Sequence, residues 1–140
     1  MSDALMLHKG VAHPWNCDVM GHLTTRYYLG MFDDASYHFL NQVFPDTLKR
    51  PNAGWADVRH VIEYTNEVGA GDLLDISGRL SRIGGKSIQV NYNMTNISRN
   101  ECAATLDATS VLFDLKARKA MSLSDSDREF ASTFLQPEDS

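Results

Sequence analysis

The feature that most constrains the fold is a change in the spacing of apolar residues partway along the chain. Between residues 24 and 44, apolar side chains recur every three or four positions, which is the spacing of one face of an amphipathic α-helix. Thr24 or Thr25 can cap the start of this helix, and Pro45 ends it. After Gly54, apolar residues alternate with polar ones, which is the pattern of half-buried antiparallel strands.

Four long strands are predicted after the helix and one short strand before it. The first long strand covers residues 55–68, and the next two are joined by a hairpin turn at Gly84 and Gly85. In the last strand the apolar residues change face near Thr109 and Ser110, so we expect a β-bulge there. Consecutive strands with a single helix favour an α+β fold, in which an antiparallel sheet packs against that helix.

The chain is predicted to form one domain that associates with further copies. Its 140 residues contain no internal repeat or low-complexity linker, so residues 1–140 are expected to share one core. From about residue 122 onward the sequence is polar and acidic, and we expect a short helix followed by a frayed end. Long strands with open edges favour pairing with a second copy, so we expect a homodimer or a homotetramer.

Charge and composition exclude several classes of function. The formal net charge of −5 argues against general binding of nucleic acid or anionic membranes, although a few basic side chains can still bind an anionic small ligand. No apolar run approaches the roughly 20 residues that cross a bilayer, and the start of the chain lacks the pattern of a signal peptide. Cys17 and Cys102 are too few and too distant to indicate a disulfide framework or a structural zinc site. We therefore expect a cytoplasmic protein without a bound metal.

The densest cluster of polar residues, 13–25, lies just before the predicted helix. Asp18 is flanked there by Trp15, Val19 and Met20, and a carboxylate in apolar surroundings is a stronger base or nucleophile. The unpaired backbone N–H groups at a helix N-terminus can stabilise the oxyanion that forms when a carbonyl is attacked. These two elements suffice for acyl hydrolysis. The alternative, which the residues alone favour, is that Asp18 makes an ordinary Asx-turn.

The same segment resembles the signature of hotdog-fold acyl-CoA thioesterases of the 4-hydroxybenzoyl-CoA thioesterase type. The family pattern is D-x-x-G-H, a hydrophobic residue, two asparagines and then a tyrosine, and this chain meets it at Asp18, Gly21, His22 and Tyr28. A pair of threonines replaces the asparagines. Residues 64–72 and 82–87 also resemble the family, and the likeness extends over roughly residues 7–119. The resemblance implies a hotdog fold, in which a five-stranded antiparallel sheet wraps one long central helix.

The resemblance also implies roles for individual residues near the helix start. Asp18 matches the catalytic aspartate of the family, and the backbone N–H of Thr25 falls where the family has its oxyanion donor. His22 either shapes the loop through side-chain hydrogen bonds or assists proton transfer near neutral pH. Tyr28 is expected to pack rather than react.

Two further acidic residues, Asp33 and Asp34, are poor catalytic candidates. A second branch of hotdog thioesterases uses a His-Gly-Gly loop together with an acidic residue on the helix, and this chain lacks that loop. We expect both carboxylates to be solvated or to contact another subunit.

The turn at residues 84–87 is the candidate site for the phosphates of coenzyme A. It is not a P-loop, because Leu80 stands where the first glycine belongs and a strand follows. By resemblance, the turn lies where family members hold those phosphates. Lys86 is the main candidate contact, with Arg82, Gly85 and Ser87 beside it.

Taken with the resemblance, the sequence predicts hydrolysis of an acyl-CoA thioester to a free acid and coenzyme A. The acyl group would lie between the helix and the sheet of a partner subunit, and no metal or redox cofactor is implied. Asp18 can act as a nucleophile or as a general base. Two alternatives stay open: a hotdog hydratase or dehydratase, and a non-catalytic acyl-CoA-binding module, which would have no use for Asp18.

Overall fold

The main helix, α1, occupies the segment in which the helical spacing occurs. The computed structural model describes residues 4–135, and α1 covers Thr25–Val43. Thr24 is the N-cap by its extended backbone, although its side chain makes no capping hydrogen bond within the described residues. The buried residues of the helix lie three or four apart: Tyr28, Phe32, Ala35, Phe39 and Val43. The helix therefore buries one face, as its sequence predicts.

In residues 4–135, six strands form one antiparallel sheet. They are β1 (Leu5–Val11), β2 (Ala53–Tyr64), β3 (Leu73–Ile83), β4 (Ser87–Asn96), β5 (Glu101–Asp114) and β6 (Lys119–Ala120). The strand order is β1-β3-β4-β5-β2, with β6 beside β5. The antiparallel α+β class is confirmed. The expected count of five strands was one too low, because a two-residue strand is too short to leave a periodic signal.

The core lies between α1 and one face of the sheet. On β4 this face carries Ile88, Val90, Tyr92 and Met94, which are the alternating residues predicted to be buried. The rings of Phe32 and Phe39 lie 6.3 and 6.1 Å from the ring of Tyr92, and these contacts join the helix to the middle of the sheet. The opposite face of the sheet is mostly polar on β3, β4 and β5, with Val111 and Phe113 as apolar exceptions on β5, and we call it the outer face.

The predicted position of the bulge in β5, near Thr109 and Ser110, was wrong. Ser110 and Leu112 continue the buried face of β5, so the strand does not change parity at this point. The register shift lies instead in β2, between Asp57 and Arg59, directly across from Ser110. Val111 and Phe113 suggested a change of face because they are apolar residues on the half-buried opposite side.

The first long strand is also shorter than predicted. β2 ends at Tyr64 because the N–H groups of Thr65 and Asn66 both bond to the carbonyl of Ala103, which turns the chain out of the sheet. Val68 is buried in the following loop, where its carbonyl accepts from Leu23 N–H. The sequence analysis extended the strand to Val68 because an apolar residue buried in a loop has the same pattern as the end of a strand.

The C-terminal segment contains the expected short helix, α2, at Asp125–Ser132. It is docked on the domain: Leu123 and Ala131 are buried, and the Thr47 hydroxyl donates to Asp127 at 2.9 Å. The expected frayed end falls partly in residues 136–140, which lie outside the described residues. Neither helix in the described part of the chain combines the length and apolarity that crossing a membrane requires.

Candidate active site

Asp18 closes the loop that precedes α1. Its Oδ1 accepts from the N–H groups of Met20 at 2.9 Å and His22 at 3.2 Å, and its own N–H donates to the carbonyl of His22. Within residues 4–135, Oδ2 accepts no hydrogen bond. The Asx-turn alternative is therefore correct for one carboxylate oxygen, while the other is left open to solvent.

Gly21 makes this tight loop possible. Its φ of +79° lies in the left-handed region, where a Cβ atom is strained. Apart from the two adjacent residues, no part of the described chain lies within 4 Å of the position that a Cβ would take. The glycine of the D-x-x-G-H pattern is thus required by the backbone conformation and not by crowding.

The apolar neighbours of Asp18 do not cover it, contrary to expectation. Trp15 is 73% exposed, Val19 is fully exposed, and Met20 is 70% exposed. The turn places Val19 and Met20 at its tip, so their side chains point into solvent beside an exposed carboxylate. In a single chain, adjacency in sequence does not desolvate Asp18.

A cleft of about 240 Å³ lies at the start of α1. His22, Thr25 and Tyr28 line one side of it, and residues 64–68 line the other. Within the described residues, the N–H of Thr25 has no backbone acceptor, which is normal for the first turn of a helix and leaves a donor at the cleft.

Tyr28 packs at the floor of this region, as predicted. Its side chain is buried, and its ring meets the ring of Tyr64 edge to face at 4.9 Å. Burial raises the pKa of Tyr28, and the nearby Tyr64, Cys17 and Glu67 raise it further. The phenol therefore stays protonated at neutral pH.

His22 shapes the loop, but through its backbone. Its N–H and carbonyl both bond to Asp18, and it forms a β-bridge with Gly69. Its side chain points elsewhere, with Nε2 3.3 Å from Oε2 of Glu67. Glu67 has no role in the sequence prediction, because 45 positions separate it from His22 and only the fold brings the two together.

A partly buried polar network holds the loop that pairs with His22. Oδ2 of Asp72 accepts from Gly69 N–H at 2.8 Å, from the Asn96 amide at 2.8 Å and from Arg99 Nε at 3.2 Å. Burial alone would raise the pKa of Asp72, but these hydrogen bonds and the charge of Arg99 outweigh it and hold the pKa below its usual value. Asn96 is fully buried, so the network anchors residues 69–72 to the end of β4.

The turn at residues 84–87 is an exposed cationic site. Lys86 and Arg82 are both exposed, and neither makes an ion pair within residues 4–135. The carbonyl of Gly85 accepts from Leu123 N–H at 3.1 Å and from Arg128 Nη2 at 3.3 Å. Ser87 closes the turn by accepting Gly84 N–H at 2.7 Å through its carbonyl. Arg128 adds a cation that the sequence analysis missed, because α2 docks from a distant part of the chain.

The two candidate sites lie at opposite ends of the sheet within one chain. The Asp18 loop contacts residues just before β3, whereas the Lys86 turn follows the end of β3. The 11 residues of β3 span roughly 35 Å at about 3.3 Å per residue. The structure thus places His22 and Thr25 at one cleft and bonds Asp18 to His22, although Asp18 does not line that cleft. It does not bring Lys86, Arg82, Gly85 and Ser87 to this end of the sheet.

Other candidate groups stay apart from this cleft. Asp33 and Asp34 are exposed on α1. In the part of the chain that the structure describes, no three His, Cys, Asp or Glu side chains are arranged to hold a metal ion.

The chain matches a known protein family over most of its length. The model of the thioesterase-like superfamily matches residues 12–131, which include the Asp18 loop, the whole sheet after β1, and nearly all of α2. The chain belongs to the thioesterase-like superfamily. No curated protein matches it significantly.

Several solved structures share the fold of this chain. The probable thioesterase YbaW from Escherichia coli is 25% identical, with a TM-score of 0.81 over 94% of this chain and 100% of that one. Slr0204 from Synechocystis, a 1,4-dihydroxy-2-naphthoyl-CoA thioesterase, is 14% identical, with a TM-score of 0.78 over 96% and 100%. SAV2348 from Staphylococcus aureus, solved in complex with CoA, is 14% identical, with a TM-score of 0.84 over 100% and 90%.

Proposed function

We propose that this thioesterase-like protein hydrolyses an acyl-CoA thioester to a free acid and coenzyme A. One observation carries the proposal: within residues 4–135 Asp18 is fixed through Oδ1 while Oδ2 stays free, and the loop that it closes leads into the start of α1, where the backbone N–H of Thr25 is open. The Synechocystis neighbour, which is a CoA thioesterase, and the Staphylococcus neighbour, which binds CoA, support this class of substrate.

In the proposed reaction, the thioester oxygen accepts a hydrogen bond from Thr25 N–H, which stabilises the negative charge that develops on attack. Oδ2 of Asp18 either attacks the carbonyl carbon or takes a proton from an attacking water. The first route forms a mixed anhydride that water then cleaves. In both routes the coenzyme A thiolate leaves and is protonated, and neither route needs a metal or redox cofactor.

The complete site is proposed to combine two subunits. One chain separates the Asp18 loop from the Lys86 turn by roughly the length of β3. We infer from this separation that a second copy supplies the phosphate contacts of Lys86, Arg82, Gly85 and Ser87. β2 is an edge strand of 12 residues, which is suited to pairing with the same strand of a second copy. The second copy would also cover Trp15 and Val19 and so desolvate Asp18.

In the hotdog arrangement of the family, α1 would be the central helix, and the acyl group would lie beside it. The burial of one face of α1 against the sheet supports this placement. The absence of a membrane-crossing helix in residues 4–135 is compatible with the cytoplasmic location we propose.

The decisive test replaces Asp18 by asparagine. Asp18→Asn keeps the Oδ1 acceptor for Met20 and His22, so the loop should stay closed, while the free oxygen that attacks or accepts a proton is lost. We expect thioester hydrolysis, followed by release of free thiol, to fall at least about 100-fold, which is the usual minimum for loss of a positioned base. Asp34→Asn, an exposed carboxylate on α1, is the matched control and should retain the parental rate.

A non-catalytic acyl-CoA-binding module is the second candidate, because closing the loop already gives Asp18 a structural task. Near-parental hydrolysis by a folded Asp18→Asn protein would refute the proposed mechanism. Acyl-CoA binding by the parent without any thiol release would instead identify the binding module.

A further inference from the structure

A groove runs along α1 on the side that faces β2, from the cleft at the start of the helix toward its end. The two elements run in opposite directions, because the ring of Tyr28 meets that of Tyr64 at one end, and the rings of Phe44 and Trp55 lie 5.2 Å apart at the other. Along the groove, the cleft is followed by a hollow of about 10 Å³ and then by a cavity of about 390 Å³.

These three spaces adjoin one another. Consecutive residues of α1, Tyr28 and Leu29, line the cleft and the hollow. The hollow and the cavity share the lining residues Asp33, Ser36, Leu40 and Asp57. The walls of the cavity include the rings of Tyr37, Phe44 and Trp55, so this end of the groove suits the apolar end of an acyl chain.

The hollow contains a buried hydroxyl group without a partner. Tyr92 on β4 is only 3% exposed, and its ring packs on Phe32 and Phe39, so its side chain lies on the helix side of the sheet. Tyr92 lines the hollow, and within residues 4–135 its hydroxyl makes no hydrogen bond. Burial and, after it, the charges of Asp57 and Asp33 raise the pKa of Tyr92, so the phenol stays protonated at neutral pH. An unpaired buried hydroxyl is costly, and a ligand that bonds to it removes this cost.

Two carboxylates at the hollow have acceptor capacity to spare. Within residues 4–135, the carboxylate of Asp33 makes no hydrogen bond or ion pair. Oδ1 of Asp57 accepts from the buried Ser110 hydroxyl at 2.7 Å, while Oδ2 lies 3.9 Å from Nε2 of His60, beyond hydrogen-bond distance. The described residues that line the hollow and the cavity include no lysine or arginine. The groove is therefore negative at the hollow and favours a group that donates a hydrogen bond.

We propose that this groove selects an acyl chain that carries a hydroxyl group partway along its length. The hydroxyl donates to the carboxylate of Asp33 or Asp57 and accepts from the phenol of Tyr92. The volume of the hollow is about that of one water molecule, so it admits a hydroxyl and excludes larger polar groups. A carboxylate at the same point of the chain is disfavoured by the two aspartates.

The position of the hydroxyl follows from the length of the helix. The inference rests on the proposed function, because it places the thioester carbonyl at the N–H of Thr25. Asp33 follows Thr25 by eight residues, which is roughly 12 Å along α1 at 1.5 Å per residue. The hydroxyl therefore lies about this far from the carbonyl, and the remaining apolar part of the chain reaches the cavity.

S-alkyl-CoA thioethers, which cannot be hydrolysed, test the groove separately from the reaction. Chains of one length, each with a hydroxyl at a different position, are titrated into the parent protein by calorimetry beside the unsubstituted chain. Affinity should peak about tenfold above that of the unsubstituted chain, as expected for a hydrogen bond to a charged group. The peak should occur when the hydroxyl lies about 12 Å from the sulfur. A carboxylate at the best position should bind more weakly than the unsubstituted chain.

Matched variants assign the selectivity to the hollow. Tyr92→Phe keeps the ring and removes the hydroxyl, so the preference for the best hydroxylated chain should fall from about tenfold to about threefold. Tyr27→Phe, which removes a hydroxyl that bonds to Arg26, is the control and should keep the preference. Asp33→Asn should weaken the discrimination against the carboxylate, and Asp34→Asn should leave it unchanged.

The series on the parent needs no variant, and circular dichroism checks the fold of each variant. The proposal is overturned if no thioether binds, if affinity does not depend on the position of the hydroxyl, or if folded Tyr92→Phe and Asp33→Asn proteins both keep the parental selectivity. Release of free thiol from the matching thioesters tests the proposed function separately. Selective binding of the hydroxylated thioether without hydrolysis of its thioester would refute the hydrolase and support the groove.

Discussion

The two carboxylate oxygens of Asp18 have different surroundings. Oδ1 holds the loop through the N–H groups of Met20 and His22, and Oδ2 accepts no hydrogen bond from residues 4–135. The structural and the catalytic interpretations of this residue are therefore compatible. A rigid loop fixes the direction of the free oxygen, which lowers the cost of orienting it for attack.

The backbone at Gly21 gives a prediction about this loop. A residue with a Cβ at φ +79° costs about 1 kcal/mol, and asparagine tolerates this region better than alanine. We expect Gly21→Ala to lower kcat/KM more than Gly21→Asn does, because strain relief would move the Asp18 carboxylate. Steady-state kinetics with thermal unfolding of both variants will check this. Equal activity of the two variants would contradict it, since there is no clash at this position to obscure the comparison.

At the residue scale, the contact between His22 and Glu67 could not be predicted from the sequence. Asp18, Gly21 and His22 lie within five positions, so a local pattern identifies them together. Glu67 reaches His22 only because residues 64–72 fold back from β2 toward the start of α1. The exposure of Asp18 could not be predicted either, because the direction of a loop side chain depends on turn geometry and not on its neighbours in sequence.

At the scale of elements, the long helix and the long strands were predictable because each repeats its period over many residues. α1 and β4 bury the residues that the spacing indicates. The errors occur where an apolar residue serves another purpose: Val68 is buried in a loop, and Val111 lies on the half-buried side of β5. The two-residue β6 contains too little sequence to show a period.

The hydrogen bonds of Asp72 connect the end of β4 to the loop that pairs with His22. Their contribution to stability should depend on pH. The pKa of Asp72 is lowered, so its stabilising contribution is complete above the ordinary pKa of 3.8 and is lost as the pH falls through the folded value. We expect Asp72→Asn, which removes the charge facing Arg99, to lower the free energy of unfolding by about 1 kcal/mol at pH 7. The difference from the parent should shrink at pH 3.

Urea denaturation at both pH values measures this difference, with Asp34→Asn as the exposed control. A difference that is equal at pH 7 and pH 3 would show that the charge of Asp72 does not contribute. Because the network also positions Gly69 against His22, the same variant should lose some hydrolytic activity at pH 7.

At the scale of the whole molecule, the separation of the two candidate sites is the strongest argument for a shared site. Asp18 lies beyond one end of β3 and Lys86 beyond the other. The sequence analysis could propose both residues, but it could not measure the distance between them, because that distance depends on the direction of β3 in the sheet. In the arrangement that we propose, a second copy with its sheet running the opposite way brings its lysine turn to the aspartate loop.

Hybrid oligomers test this arrangement directly. One subunit carries Asp18→Asn and the other carries Lys86→Glu, with different affinity tags so that only mixed species are purified. If each site takes Asp18 from one chain and Lys86 from the other, one site is intact and the other has both defects. The hybrid should then show about half the parental kcat and the parental KM. If both residues act within one chain, the only active site contains Lys86→Glu, and KM for acyl-CoA should rise roughly five- to tenfold at low salt, as expected for a lost exposed contact with phosphate. Lys116→Glu in place of Lys86→Glu is the control, and it should give half the parental kcat and the parental KM under either arrangement, so KM in the first hybrid decides between them.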